Sequence, residues 1–167
     1  MTKQLSDSQM VEVWNNGTGT VFYKVDDKPK RVWDLPDSMK KIALGELRAL
    51  VNMAGGFVLL AEELLVKDIA VREDLSLPTT IEMMLGREEI ESLLKSDVDA
   101  LDSALENTNG VIKDKIADIA IKNKITDTEK MEVIQVHTGV DVYNAIKDAK
   151  EEAAVKEKNK SNNKGIK

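Results

Sequence analysis

A single histidine, His137, and a scatter of carboxylates are the residues of this chain best suited to acid–base or metal chemistry, and cysteine is absent. His137 falls near the end of a predicted helix, where a cation interacts favourably with the C-terminal dipole. It has no second His or Cys with which to hold a metal, and no obvious nucleophile to activate. The run Asp97-Val98-Asp99-Ala100-Leu101-Asp102 alternates acids as a calcium loop does. It lacks the glycine at the sharp turn and the bidentate Glu at the twelfth position, so with Glu88, Glu89 and Glu91 it reads as a solvated acidic helix face. Gly55-Gly56 belongs to no GxGxxG pattern and precedes no GK[ST] pair, so it is not a phosphate cradle. The serines form no GxSxG elbow. Without cysteine there is no disulfide framework, thiol nucleophile or thiolate metal site. The chain is therefore expected to be non-enzymatic, with no catalytic residue, no metal ligand and no cofactor.

The aromatic residues offer binding chemistry instead. Trp14, Phe22, Tyr23 and Trp33 lie in strand-like segments, as do the bases' partners in an oligonucleotide-binding sheet. Their basic neighbours Lys24, Lys28, Lys30 and Arg31 are offset by Asp26, Asp27 and Asp34. Packing in a core or a partner interface is the better reading. The 167 residues carry a net charge of −6 that conceals an asymmetry. Residues 1–155 hold 19 Lys and Arg against 29 Asp and Glu, whereas 156–167 hold five Lys against one Glu. An acidic body argues against a broad nucleic-acid surface. The terminal Lys156, Lys158, Lys160, Lys164 and Lys167 form a basic tail with a candidate role toward an anionic partner, although its composition suits a solvated, disordered end.

The elements that must position these residues start with a hairpin signal. Met10 to Trp14 and Thr20 to Val25 flank Asn15-Asn16-Gly17-Thr18-Gly19, and Arg31 to Leu35 makes a third strand after the turn cluster at Asp26–Pro29. A short Met39 to Ile42 segment follows, so a three- or four-stranded antiparallel β-meander is expected. So small a sheet needs a cover. Leu44 to Asp68 is the most apolar stretch: Leu47, Leu50 and Val51, then Phe57, Leu60, Ala61 and Leu64, recur at helical spacing on either side of a Gly55-Gly56 break. Asp68 is a candidate cap for a helix running to Leu75, and Thr79 with Glu82 marks another start. Ser96 with Asp99 and Thr126-Asp127-Thr128-Glu129 resemble capping boxes. Ile112, Ile116, Ile119 and Ala120 line the clearest amphipathic helix, and Val142, Ile146, Ala149 and Ala153 the last one.

The expected fold class is α+β: a disordered N-terminus over 1–9, a β-meander with covering helices over 10–75, a helical bundle over 79–153, and a flexible basic tail over 154–167. No apolar run approaches the roughly 18 residues that span a bilayer. The polar start MTKQLSDSQM has no signal-peptide core.

Several segments, taken together, resemble a known family. They are Val13-Trp14-Asn15-Asn16, Tyr23-Lys24-Val25, Lys30-Arg31-Val32-Trp33, Glu46-Leu47, Gly55-Gly56, Leu64-Leu65-Val66-Lys67-Asp68, Gly110-Val111-Ile112, Lys130, Thr138-Gly139-Val140-Asp141-Val142 and Ala145-Ile146. Their order is similar to that in a family of small, mostly uncharacterised proteins of tailed bacteriophages and prophages, chiefly of Firmicutes. The segment Ala104–Asn109 departs from that pattern, where relatives often carry a more hydrophobic stretch with Cys, Phe and Pro.

The resemblance implies a phage structural or assembly protein, a capsid- or head–tail-associated virion component present in multiple copies. Its partners would be capsid, portal or tail subunits, and its location the virion, with the host cytoplasm during assembly. The candidate interface residues are Trp14, Phe22, Tyr23 and Trp33 on the sheet and Leu47, Phe57 and Leu60 on the helix pair. The alternative is an intracellular phage regulator or adaptor that binds a host protein or nucleic acid through the helices and the Lys tail. Nucleic acid is the less favoured partner, and no membrane partner is expected.

Overall fold

Val11 and Val13 alternate with Met10, Glu12 and Trp14, the period of a strand with one buried face. In the computed structural model, which describes residues 4–163, that strand becomes the centre of a sheet. The strands are β1 (Met10–Asn15), β2 (Val21–Tyr23), β3 (Arg31–Trp33), β4 (Met39–Ala43) and β5 (Leu64–Val66). β1 runs antiparallel between β4 and β5, while β2 and β3 pair as a separate hairpin. The α+β class holds, but the sheet is not the expected meander. Both edges of β1 are taken by strands distant in sequence, so β2 has no edge to join. The Asn15 side chain also steers the chain away: its Oδ1 accepts from Gly17 N at 2.9 Å, and its amide donates to Gly19 O at 2.7 Å and Leu35 O at 3.1 Å.

Helix α1 (Leu44–Val51) follows β4 without a loop and buries Leu44, Leu47 and Leu50 beneath the sheet. The Gly55-Gly56 corner then reverses the chain. Gly55 takes φ +78°, and a Cβ on Gly56 would stand 1.7 Å from the Leu50 carbonyl oxygen, so no larger residue fits there. The turn α2 (Gly56–Val58) continues as a π-helical turn, Leu59–Glu63, directly into β5. The run from Phe57 to Val66 is thus helical through Glu63 and strand from Leu64, and β5, buried along its whole length, replaces the last turn expected there. Asp68 caps α3 (Ile69–Asp74), accepting from Val71 N at 3.2 Å.

A 3₁₀ turn, Ile81–Met84, leads into five helices: α4 (Arg87–Lys95), α5 (Val98–Asn107), α6 (Gly110–Lys122), α7 (Thr128–Thr138) and α8 (Val142–Asn163). Each of α5, α6 and α7 is opened by an Asp or Asn side chain that accepts a backbone N–H orphaned at the first turn. The caps are Asp97, Asn109 and Asp127, so the capping residue is one place after Ser96 and Thr126.

Buried side chains form two clusters. One gathers Val11, Val13, Trp33, Leu47, Leu60 and Val71 under the sheet; the other gathers Ile90, Leu101, Leu105, Ile116 and Ile134 among the helices. A fully buried aliphatic side chain of this kind is worth about 2 kcal/mol of transfer free energy.

Both termini differ from expectation. Residues 4–9 are tied down: Gln9 O accepts from Leu44 N at 2.9 Å, Asp7 O from Gly45 N at 3.0 Å, and the Asp7 carboxylate pairs with Arg48. The anticipated flexible tail is helical as far as Asn163, with every side chain from Lys147 to Asn163 exposed. Lys164 and Lys167, like residues 1–3, lie outside the described residues.

Candidate protein-interaction surface

The pairing of β1 decides which side chains face outward. Directly opposed residues of antiparallel strands share a face, so Trp14 stands in one row with Met39 of β4 and Leu65 of β5. Glu12 and Lys41 form the next row, and Met10 with Ala43 the last. Met10 and Met39 are exposed and Trp14 is half-buried, whereas Leu65 is covered by the segment leading into α4, which brings Gly86 against it. Lys67 Nζ sits 5.4 Å from the centre of the Trp14 ring, within cation–π range. Beside that ring lies a cavity of about 150 Å³, walled by Asn16, Asp37 and Arg87 among others.

The hairpin divides its aromatics in the same way. On the inner face Tyr23 and Trp33 are buried, their ring centres 5.8 Å apart, and Trp33 Nε1 donates to Val13 O at 3.0 Å. On the outer face Phe22 opposes Val32 and is 59% exposed, with Lys30 Nζ 4.3 Å from its ring centre. Leu35, just beyond β3, is 69% exposed. A third exposed group, Met53, Phe57 and Val58, surrounds the Gly55-Gly56 corner.

Of the seven candidate interface residues, then, Trp14, Phe22 and Phe57 reach the surface. Tyr23, Trp33, Leu47 and Leu60 are core residues and present nothing to a partner. Phe22 and Tyr23 were separable by the period of two, since Val21, Tyr23 and Val25 alternate with Phe22 and Lys24. Leu35, Met10 and Met39, which the sequence reading passed over, join the surface set. Of the tail lysines, Lys156, Lys158 and Lys160 are exposed along α8.

Two buried polar groups hold this surface in shape. Glu46 on α1 is buried and accepts from Tyr23 Oη at 2.8 Å and from Arg31 Nε and Nη2 at 2.9 and 2.7 Å. The paired Arg31 guanidinium holds the Glu46 carboxyl below its ordinary range. Burial, and next the hydrogen bond to Glu46, raise the Tyr23 phenol well above its own. This triad fastens the hairpin to α1. The second group joins the two cores. Lys115 on α6 is buried, and its Nζ donates to Asn16 Oδ1 at 2.8 Å and Asp37 Oδ1 at 2.5 Å. The Asn16 amide donates in turn to Leu85 O at 2.9 Å, and Arg87 reaches Asp37 at 3.4 Å.

Buried Arg72 is held differently, with its guanidinium donating to Pro78 O at 2.6 Å and Val66 O at 3.2 Å; burial lowers its pKa. Several carboxylates of the presumed acidic face have structural partners. Glu89 accepts from Gly86 N, Glu91 pairs with Arg87, and Asp102 Oδ1 lies 2.6 Å from His137 Nε2, tying α5 to α7. Among the described residues no three His, Asp or Glu side chains converge as metal ligands, and no helix is long and apolar enough to cross a membrane. Comparison with protein-family models, with curated proteins and with solved structures returned no match for the chain.

Proposed function

We propose that this protein is a non-catalytic structural or assembly component of a tailed phage, bound in the capsid or head–tail region through protein–protein contacts. The phage setting follows from the family resemblance of its sequence segments. The mode of action is supported by one structural observation: Met10 and Met39 on the outer face of the sheet, and Phe22 and Leu35 on and beside the hairpin, hold large apolar side chains in solvent. Exposed apolar groups of this kind mark contact surfaces when they gather on one part of a molecule. Neighbouring capsid, portal or tail subunits are the proposed partners, and the virion the proposed location.

Quantitative mass spectrometry of gradient-purified particles, normalised to the major capsid protein, tests the reading. A copy number in fixed ratio to the capsid or to a tail ring is the expected result. Abundant protein in infected cells with none in particles would overturn it and favour the intracellular regulator or adaptor.

A further inference from the structure

The helical half carries a second surface, remote in sequence from the aromatic one. α6 ends in a Schellman closure, with Ile125 N donating to Ala120 O and Lys124 N to Ile121 O. This puts Lys124 at φ +51°, a conformation that favours glycine. Between this corner, the start of α7 and the first turns of α8 lies a cavity of about 290 Å³. Its buried floor is Met131 and Ile146, with Ile125 half-buried beside them and the Tyr143 ring exposed as one wall. Tyr143, Ile146, Lys147 and Lys150 fall at i, i+3, i+4 and i+7, so one face of α8 supplies them all.

The charge here is reversed from that of the body. Lys124, Lys147 and Lys150 are exposed at the cavity and no Asp or Glu lines it. Among the described residues none of the three is in an ion pair, whereas Lys67, Lys115, Lys122 and Lys130 are. On a chain of net charge −6, this cavity offers an acidic partner three exposed lysines and no lining carboxylate. The volume lies at the bottom of the range for drug-sized ligands and leaves room for one large side chain. Lysines on flexible stems suit carboxylates that arrive without one fixed bidentate geometry.

We infer that this cavity is a docking site for an acidic segment of a partner protein, which inserts one aromatic or large aliphatic side chain between Met131, Ile146 and Tyr143 and lays flanking carboxylates against Lys124, Lys147 and Lys150. The site is independent of the virion reading: a failed titration here leaves the particle copy number unaffected, and the converse also holds.

The test uses the full chain, ¹⁵N-labelled, titrated with a capped peptide Glu-Asp-Phe-Asp-Glu and followed by NMR. The expected result is saturable shifts confined to residues 124–131 and 143–150. They should weaken when the Phe becomes Ala and when the acids become their amides. Lys147→Glu with Lys150→Glu, both exposed, should reduce affinity about tenfold, as the loss of two exposed charge pairs implies. Lys124→Gly should weaken binding while raising the thermal midpoint, a split that a purely structural lysine would not give. Absence of saturable shifts, equal shifts from the control peptides, or unchanged affinity in the charge-reversed variant would overturn the inference. So would inorganic phosphate binding at the same residues as tightly as the peptide, which would assign the cavity to a small anion.

Discussion

The sheet half and the helical half reach stability by different means. Around α4 to α8 the core is aliphatic apart from Lys115 at the joint, four of the five helices are opened by short polar side chains, and most elements are set by a local rule: apolar spacing, a cap, a glycine at φ +74° where α7 ends. Around β1 the core contains Asn15, Glu46 and Arg72 at exposures of 3% or less, and its contacts join residues far apart in sequence. A buried polar group is stabilising only when its partners are in place. The sheet half is therefore specified by a few exact pairings and the helical half by many interchangeable ones. Most of the large exposed apolar side chains, Phe22 and Met39 among them, belong to the half specified by exact pairings, as expected if they must be presented at fixed positions, whereas Ile81, Val136, Tyr143 and Val155 are exposed in the helical half.

Substitutions that break the comparison should rank accordingly. Gly56→Ala drives a methyl group into the Leu50 carbonyl, a backbone atom that cannot turn aside. It should cost about 3 kcal/mol, measured by chemical denaturation. Glu46→Gln leaves Arg31 without a carboxylate and should cost about 2 kcal/mol. It should also alter the pH profile. Because the folded Glu46 carboxyl is held below its ordinary value, its stabilising contribution is present above the unfolded-state pKa, near 4.5, and is lost as pH falls through the folded value. Unfolding midpoints between pH 3 and 6 should therefore depend less on pH in the variant than in the wild type.

The joint between the halves sharpens the comparison. Both tryptophans, Trp14 and Trp33, lie in the sheet half, so tryptophan fluorescence follows that half, while far-UV circular dichroism mainly follows α4 to α8. Lys115→Met leaves Asn16 Oδ1 without its donor and Asp37 without its shorter ion pair. The cost should be about 2 kcal/mol, and the two transitions, coincident in the wild type, should separate. Coincident transitions in the variant would show that the cores are coupled by other contacts. Smallest is Asp127→Ala, which removes the α7 cap and should lower stability by about 1 kcal/mol, seen mainly by circular dichroism.

The same contrast explains what the sequence disclosed. The helices were legible because Ile112, Ile116 and Ile119, or Val142, Ile146 and Ala149, repeat at a spacing that a helix satisfies and a strand does not. The caps were displaced by one residue because Ser96 and Asp97, or Thr126 and Asp127, are adjacent and both are good capping types. The sheet order was not legible. Asn15 to Gly19 has the composition of a hairpin loop, and nothing local reveals that Asn15 binds Gly19 and Leu35 or that Leu64–Val66 will pair with β1. Lys115 reads as one more charge on an amphipathic helix, since its partners are 99 and 78 residues away in the chain. For the candidate surface, alternation along β2 and β3 could have assigned Phe22 outward and Tyr23 inward. The burial of Leu47 and Leu60 followed once α1 and the π-helical turn were placed under the sheet.

The most direct test of the outward display is incorporation of a Phe22→Glu, Leu35→Glu variant into particles, measured against the major capsid protein. Both side chains are more than half exposed, so the purified variant should match the wild type in circular dichroism and unfolding midpoint. The account predicts that this folded variant is made in infected cells and lost from particles. Incorporation at the wild-type copy number would contradict it, and would mean that the exposed apolar side chains of the sheet half are not what holds the protein in place.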